Sequence, residues 1–181
     1  MLYFVTGNKN KFREYQKILG PSFNLKRVNL DLEEIQSIEP SLIVKNKAKL
    51  AFSKIKKPVL VEDGGVFIDD FNGFPGALIK WMVNSISLKK ICRIIGKNRK
   101  AKIKISIGYF NGRIYKEYQA EMSGQIAESP RGQKGWEWDK IFIPTGYNKT
   151  MAELGPEIKN KIFVRKIALE KLKKINKIGG R

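Results

Sequence analysis

Two rhythms of apolar and polar residues run along this chain, and the change from one to the other marks out its elements. In the N-terminal half, short apolar runs are separated by stretches in which apolar residues recur every three or four positions. Leu2 to Thr6 is one such run and predicts a first strand. Asn8 is placed to cap a helix reaching about Leu19, with Phe12, Tyr15 and Leu19 on one face and Gly20-Pro21 as its stop. Asn24 to Leu30 predicts a second strand, and Glu39-Pro40-Ser41 opens a second helix carrying Leu42, Ile43, Leu50, Ala51 and Ile55. Pro58 to Glu62 reads as a buried strand bounded by Gly64-Gly65, beyond which Val66 to Ile68 can continue extended. A loop over Asn72 to Gly76 and a helix over Leu88 to Ile95 complete this half.

The period then shortens to two. Ala101, Ile103, Ile105, Ile107 and Tyr109 alternate with polar or small residues, as the half-buried face of a strand requires. Asn111-Gly112 predicts a two-residue hairpin turn into a partner strand over Arg113 to Glu121. Ile141 to Ile143 is a short strand ended by Pro144, and helical spacing returns over Met151 to Leu154 and from about Ile158 onward. Strands alternating with helices, then a hairpin, then a closing helix give an α/β fold with a mixed sheet.

A length of 181 residues with 42% apolar side chains suits one domain, 1–181, with a sizeable core. No run of about 18 apolar residues predicts a membrane span, and the N-terminus shows no secretory pattern. The single cysteine, Cys92, lies among isoleucines at helical spacing, which predicts a buried thiol and a reducing, cytoplasmic setting. The chain has no histidine, so it cannot build a His-based triad or a His-ligated zinc site from its own residues. Lys and Arg number 36 against 17 Asp and Glu, a net charge of +19 that suits either an anionic partner or a solvated lysine-rich surface. The basic residues are scattered and no standard nucleic-acid motif is present, so nucleic acid is not the expected partner.

Against that positive background the acidic pair Glu62-Asp63, at the exit of a buried strand, is the leading candidate for chemistry. Open α/β sheets bind ligands at strand ends, and Mg²⁺ takes one or two carboxylates together with phosphate oxygens. On an extended backbone adjacent residues point to opposite faces, so only one of the pair meets a given ligand directly unless the glycines twist the strand. Glu34, in the loop after the second strand, offers a further carboxylate. Thr6-Gly7-Asn8-Lys9-Asn10-Lys11 is a strand-to-helix junction of the kind that binds phosphate through backbone N–H groups, although a simple capped helix start has the same composition. Trp136, Glu137, Trp138 and Asp139 follow a glycine and suit either base stacking with edge recognition or ordinary core packing.

In this order the segments resemble the inosine triphosphate/xanthosine triphosphate pyrophosphatase family. The resemblance rests on Thr6, Asn8 and Lys11, on Glu34-Ile35-Gln36, on Val61-Glu62-Asp63 and on Asn72 to Gly76. It continues through Trp138-Asp139 with Ile141 to Pro144, Lys149 to Glu153, and Lys159-Asn160 to Arg165, covering residues 2 to about 172. It implies an elongated fold with two lobes flanking a central cleft, a homodimer, and Mg²⁺-dependent cleavage of ITP, dITP and XTP to the monophosphate and pyrophosphate. It implies that Thr6, Gly7, Asn8, Lys11, Lys47 and Gly64 hold the triphosphate and that Glu34, Glu62 and Asp63 hold the metal, with Asp63 activating water. Trp136, Glu137, Trp138, Asp139, Lys159 and Arg165 would form the base pocket. The chain departs from the family pattern at Gly64, where serine is usual, at Glu137 and Lys140 in place of glycine and proline, and at Val164 in place of histidine. A pocket deprived of a polar contact loses discrimination, so altered base preference, or nucleotide binding with weakened catalysis, is the competing expectation.

Overall fold

The computed structural model describes residues 1–135, 137–162 and 164–178, apart from the side chains of residues 137, 160 and 174–178. Helix α1 (Lys9–Leu19) begins where Asn8 accepts the Lys11 N–H on its side chain and ends at Gly20, whose φ of 78° closes the last turn. It connects two short parallel strands, β1 (Leu2–Val5) and β2 (Leu25–Val28). The loop after β2 leads to α2 (Pro40–Ile55), and β3 (Val59–Ile68) then joins β1 in parallel. β4 (Pro75–Gly76) turns back onto β3, and two short helices follow, α3 (Ile79–Ser85) and α4 (Leu88–Ile94). The hairpin β5 (Lys100–Phe110) and β6 (Tyr115–Ile126) and the short β7 (Phe142–Pro144) complete a mixed sheet of order β2-β1-β3-β5-β6-β7, with β4 on β3. Helices α5 (Met151–Ile162) and α6 (Val164–Ile178) end the chain.

Several elements differ from those predicted, among them β6, which runs to Ile126 rather than Glu121, and β4, which forms within the expected loop. β3 does not stop at the acidic pair: it runs through Gly64 and Gly65 to Ile68, paired with β5 from Val59 to Ile68. A partner strand on one side is enough to keep glycine extended. The β5–β6 turn uses Asn111 to Ile114 rather than two residues, since Phe110 pairs with Tyr115 and the Asn111 side chain accepts the N–H groups of Arg113 and Ile114. Helix α3 was not expected, because only Ile79 and Met82 of its seven residues are buried.

The alternation along β3 divides the core. Leu60, Val66 and Ile68 face α1 and α6 together with Phe4, Tyr15 and Leu169. Val59 and Val61 face α2, where Val44, Ala48 and Ala51 recur at helical spacing. Helices therefore cover both faces of the sheet. Cys92 is buried in the larger cluster, as expected. No helix among the described residues is long and apolar enough to cross a membrane.

Arg99 pins the far end of this core. Its guanidinium donates to the carbonyls of Cys92 and Ile95 at the end of α4 and to those of Ile126, the last residue of β6, and Ala127 after it, at 2.6–3.2 Å. Arg99→Leu strands these acceptors and is expected to cost about 2–4 kcal/mol of unfolding free energy in urea titrations; a loss under about 0.5 kcal/mol, the range of an ordinary surface change, would contradict this role.

Candidate active site

On its β1 side, β3 is paired among the described residues only at Val59–Leu60, by β1, and at Val66–Phe67, by β4. The acidic pair and the glycines occupy the edge between them. The pair thus lies mid-strand rather than at a strand exit, yet just past the carboxyl ends of the parallel strands, where α/β sheets gather ligands. A cavity of about 460 Å³ opens at this gap, walled by Lys11, Glu34, Asp63, Lys80, Trp138 and Arg165 among others. Lys11 and Asp63, far apart in sequence, share one cavity.

The two acids point to opposite faces. Asp63 lies on the α2 side, where Lys47 of α2 pairs with Glu34 of the β2–α2 loop. Burial raises the Asp63 carboxyl above the ordinary aspartate range, opposed by Lys47 and Lys11 and reinforced by the Glu34 charge. One Asp63 oxygen accepts the Gly64 N–H at 2.7 Å. Glu34 and Asp63 both line this cavity.

Glu62, expected as a third metal ligand, faces α1 and α6 and is 5% exposed. Its oxygens accept from Tyr15 Oη at 2.6 Å and from Arg165 Nε and Nη2 at 2.7 and 2.9 Å, and Lys11 Nζ lies 2.9 Å away. Burial alone would raise the Glu62 carboxyl, but Arg165 and Lys11 outweigh it and hold the group well below the ordinary carboxylate range. The other side of the Arg165 guanidinium contacts Glu14.

The Thr6–Lys11 junction is braced from within. Thr6 Oγ1 accepts the Asn8 N–H at 3.1 Å, Asn8 Oδ1 accepts the Lys11 N–H at 2.9 Å, and Arg27 donates to the Thr6 carbonyl at 3.2 Å. Gly7 lies over Asn29, whose Oδ1 would be 3.0 Å from an added Cβ. The cap uses the Asn8 oxygen, and the amide nitrogen of the same side chain is a donor.

A second cavity, about 560 Å³, is bounded by Asn8, Glu14, Lys134, Gly135 and Lys159. Here Lys159 of α5 is ion-paired with the buried Asp139 and lies 5.7 Å from the Trp138 ring centroid. Burial lowers the Lys159 ammonium and Asp139 opposes the shift. Glu14 bounds this cavity and Arg165 the other, so their ion pair stands between the two. Trp136 and the Glu137 side chain lie outside the described residues.

The Lys149–Glu153 segment acquires a physical role. Thr150 and Glu153 exchange backbone N–H contacts at 2.7 and 3.3 Å, a capping box at the start of α5, and Arg131 joins Glu153 at 3.1 Å. This fixes the loop bearing Gly135 against the first turn of α5, which the non-helical Gly155 (φ 74°, ψ 175°) separates from the turns bearing Lys159. Sequence reading missed Lys80, which enters the first cavity from α3, and Trp81, 67% exposed beside it. The signal was the Ile79/Met82 spacing after Pro75-Gly76, too short to establish a helix alone.

The Ham1 family model matches residues 2–175. The dITP/XTP pyrophosphatase of Methanopyrus kandleri is 39% identical over 172 residues, covering 93% of this chain and 92% of that protein. The inosine triphosphate pyrophosphatase of Scheffersomyces stipitis is 40% identical over 186 residues, covering 94% of each. The solved structure of a HAM1 protein from Coxiella burnetii superposes with a TM-score of 0.87 at 25% identity, covering 98% of this chain and 99% of that one.

Proposed function

The chain belongs to the Ham1 family, and from that premise we propose that it hydrolyses ITP, dITP and XTP to the nucleoside monophosphate and pyrophosphate. The observation that carries the reading is the single cavity in which a raised, half-buried Asp63 shares space with Lys11 and Lys80, with Lys47 at its α2 wall through Glu34. Lysines from α1, α2 and α3 suit the three phosphates, and the start of α1 adds backbone donors. One P–O bond of the α–β anhydride breaks, water supplies the new one, and Asp63 accepts the water's proton. Positioning and charge neutralisation supply most of such catalysis.

Mg²⁺ suits these donors. Among the described residues no set of three or more His, Cys, Asp or Glu side chains is arranged to hold a metal, whereas Glu34 and Asp63 leave room for phosphate oxygens and water, as this ion prefers. Bound there, it supplies charge neutralisation on the phosphates.

For the base, Trp138 offers a stacking face and Lys159 a donor. An ammonium has no acceptor, so it favours a 6-keto purine over adenine. Val164 stands where the family usually has histidine; it is fully buried in the apolar core and lines neither cavity, so the polar contact of that histidine is absent and a relaxed preference among keto purines is expected. The reading extends to a cytoplasmic setting, expected from the single cysteine, and to the homodimer that the family resemblance implies.

The test is product analysis after incubation with ITP. With Mg²⁺, IMP and pyrophosphate should appear in equal amounts, at a rate well above that for ATP and only at background when the ion is chelated. Release of orthophosphate instead, or no hydrolysis across a panel of triphosphates, would refute the assignment.

A further inference from the structure

We propose that Glu62 is a positioning residue rather than a metal ligand: buried on the α1/α6 face of β3, its carboxylate sets Lys11 and Arg165 in place before a nucleotide arrives. The inference rests on the hydrolase reading for its substrate, but its grounds are geometric.

The first ground is direction. Glu62 shares its face of β3 with Leu60, whose neighbours in the core include Phe4 and Tyr15, and pairs across the ladder with buried Ile107. Asp63 pairs with Ser106 and shares the alternation of Val59 and Val61, so it leaves the opposite face, the one α2 covers. Both acids border the gap and line the first cavity, but adjacent side chains leave opposite faces of an extended strand, so Glu62 and Asp63 approach that cavity from opposite sides of the backbone.

The second ground is occupancy. A carboxylate has about four acceptor positions. Those of Glu62 face Tyr15 Oη, Arg165 Nε, Arg165 Nη2 and Lys11 Nζ, all at 2.6–2.9 Å. A cation here would displace one of them and lie beside a guanidinium and an ammonium.

The third ground is what the contacts join. Lys11 comes from the first turn of α1, Tyr15 from the next turn, Arg165 from α6 and Glu62 from the central strand. Both cations line the first cavity. The fork–fork contact with Arg165 fixes the plane of the guanidinium as well as its place, and the Tyr15 hydroxyl fixes the Glu62 carboxylate from behind. Glu62 thereby holds two cavity-lining cations at fixed separation, at no conformational cost when substrate binds.

Charge-conserving variants test this without changing the electrostatics of the anion site. Glu62→Asp withdraws the carboxylate by one methylene, and Tyr15→Phe removes only the supporting hydroxyl. For each, kcat/KM for ITP, the Mg²⁺ concentration at half-maximal rate and the thermal midpoint are measured beside wild type and Glu34→Gln. Misplacement by about 1 Å costs up to ~100-fold, so Glu62→Asp should lower kcat/KM by about 10–100-fold and Tyr15→Phe several-fold. Both should keep the wild-type Mg²⁺ requirement while Glu34→Gln raises it. A Mg²⁺ requirement raised in Glu62→Asp as in Glu34→Gln, or an unchanged kcat/KM, overturns the proposal. Should Glu62→Asp fail to fold, Tyr15→Phe decides by the same readings. If wild type hydrolyses no nucleotide, the hydrolase reading falls separately. Calorimetric binding of inorganic tripolyphosphate without metal then decides: weaker binding by the variants supports positioning, equal binding refutes it.

Discussion

Asp63→Asn is expected to lower kcat for ITP by about 10²–10⁴-fold, the usual span for losing a general base, while the protein stays folded. Burial raises the Asp63 carboxyl above the ordinary value of 3.8 despite Lys47 and Lys11. Its deprotonated form is the base, so wild-type kcat/KM should climb as pH rises through that elevated pKa, and the variant should lack this limb. The stability sign is opposite to that of a depressed carboxylate. A group whose folded pKa exceeds its unfolded one contributes stability below the unfolded pKa and loses it as pH rises through the folded pKa. At neutral pH the ionised Asp63 therefore carries a cost that asparagine removes, and the variant should melt no lower than wild type. Steady-state rates from pH 4 to 9 and melting curves at pH 7 check both statements; activity within tenfold of wild type would remove Asp63 from the chemistry.

Gly65→Ala is expected to destabilise the fold by about 3 kcal/mol or more, the upper range for overpacking. An added Cβ would lie 2.2–2.4 Å from backbone atoms of Gly76 and Ala77. These atoms cannot rotate away as a side chain can. Gly76 is equally confined, with φ of 54° and its own Cβ position 2.3 Å from the Ile38 carbonyl oxygen. The two glycines let β3, β4 and the β2–α2 loop close on one another, and that closure brings α3, with Lys80 and Trp81, over the Asp63 edge. Gly64→Ala meets the Ile105 side chain at 2.9 Å and the Lys104 carbonyl at 3.0 Å, so a smaller loss is expected there. Denaturant midpoints for the two variants make the comparison, and equal midpoints would mean that the Gly65–Gly76 approach is not what shapes the cavity wall. The same crowding bears on the departure at position 64, since a serine there needs room that Ile105 now fills.

Much of the frame was legible because it is local. The Asn8 cap, the Gly20 stop, the Pro40 entry to α2 and the period-two pattern of β5 are each specified by a few neighbouring residues. The opposite orientation of Glu62 and Asp63 was legible from strand alternation alone. The length of β3 was not, because its glycines resemble a boundary and only pairing with β5 keeps them extended. Nor was the setting of Glu62: Arg165 lies 103 positions away, and no pattern near either residue marks the pair. The roles of Thr150 and Glu153 were missed for a different reason. The capping-box spacing is present in the sequence, but Gly155-Pro156 leaves too short a periodic run behind it to mark a helix start.

The central claim is that a polyphosphate spans the gap in the β3 edge, with its cation on the α2 face. The most direct measurement is a crystal structure with Mn²⁺, visible by anomalous scattering, and the non-hydrolysable α,β-methylene analogue of ITP. A metal peak at about 2.1 Å, ordinary for a small hard cation, from carboxylate oxygens of Asp63 and Glu34, with phosphates between Lys11 and Lys47 and Glu62 still joined to Arg165, is the predicted result. A metal on Glu62, or phosphates bound away from this edge, would contradict it.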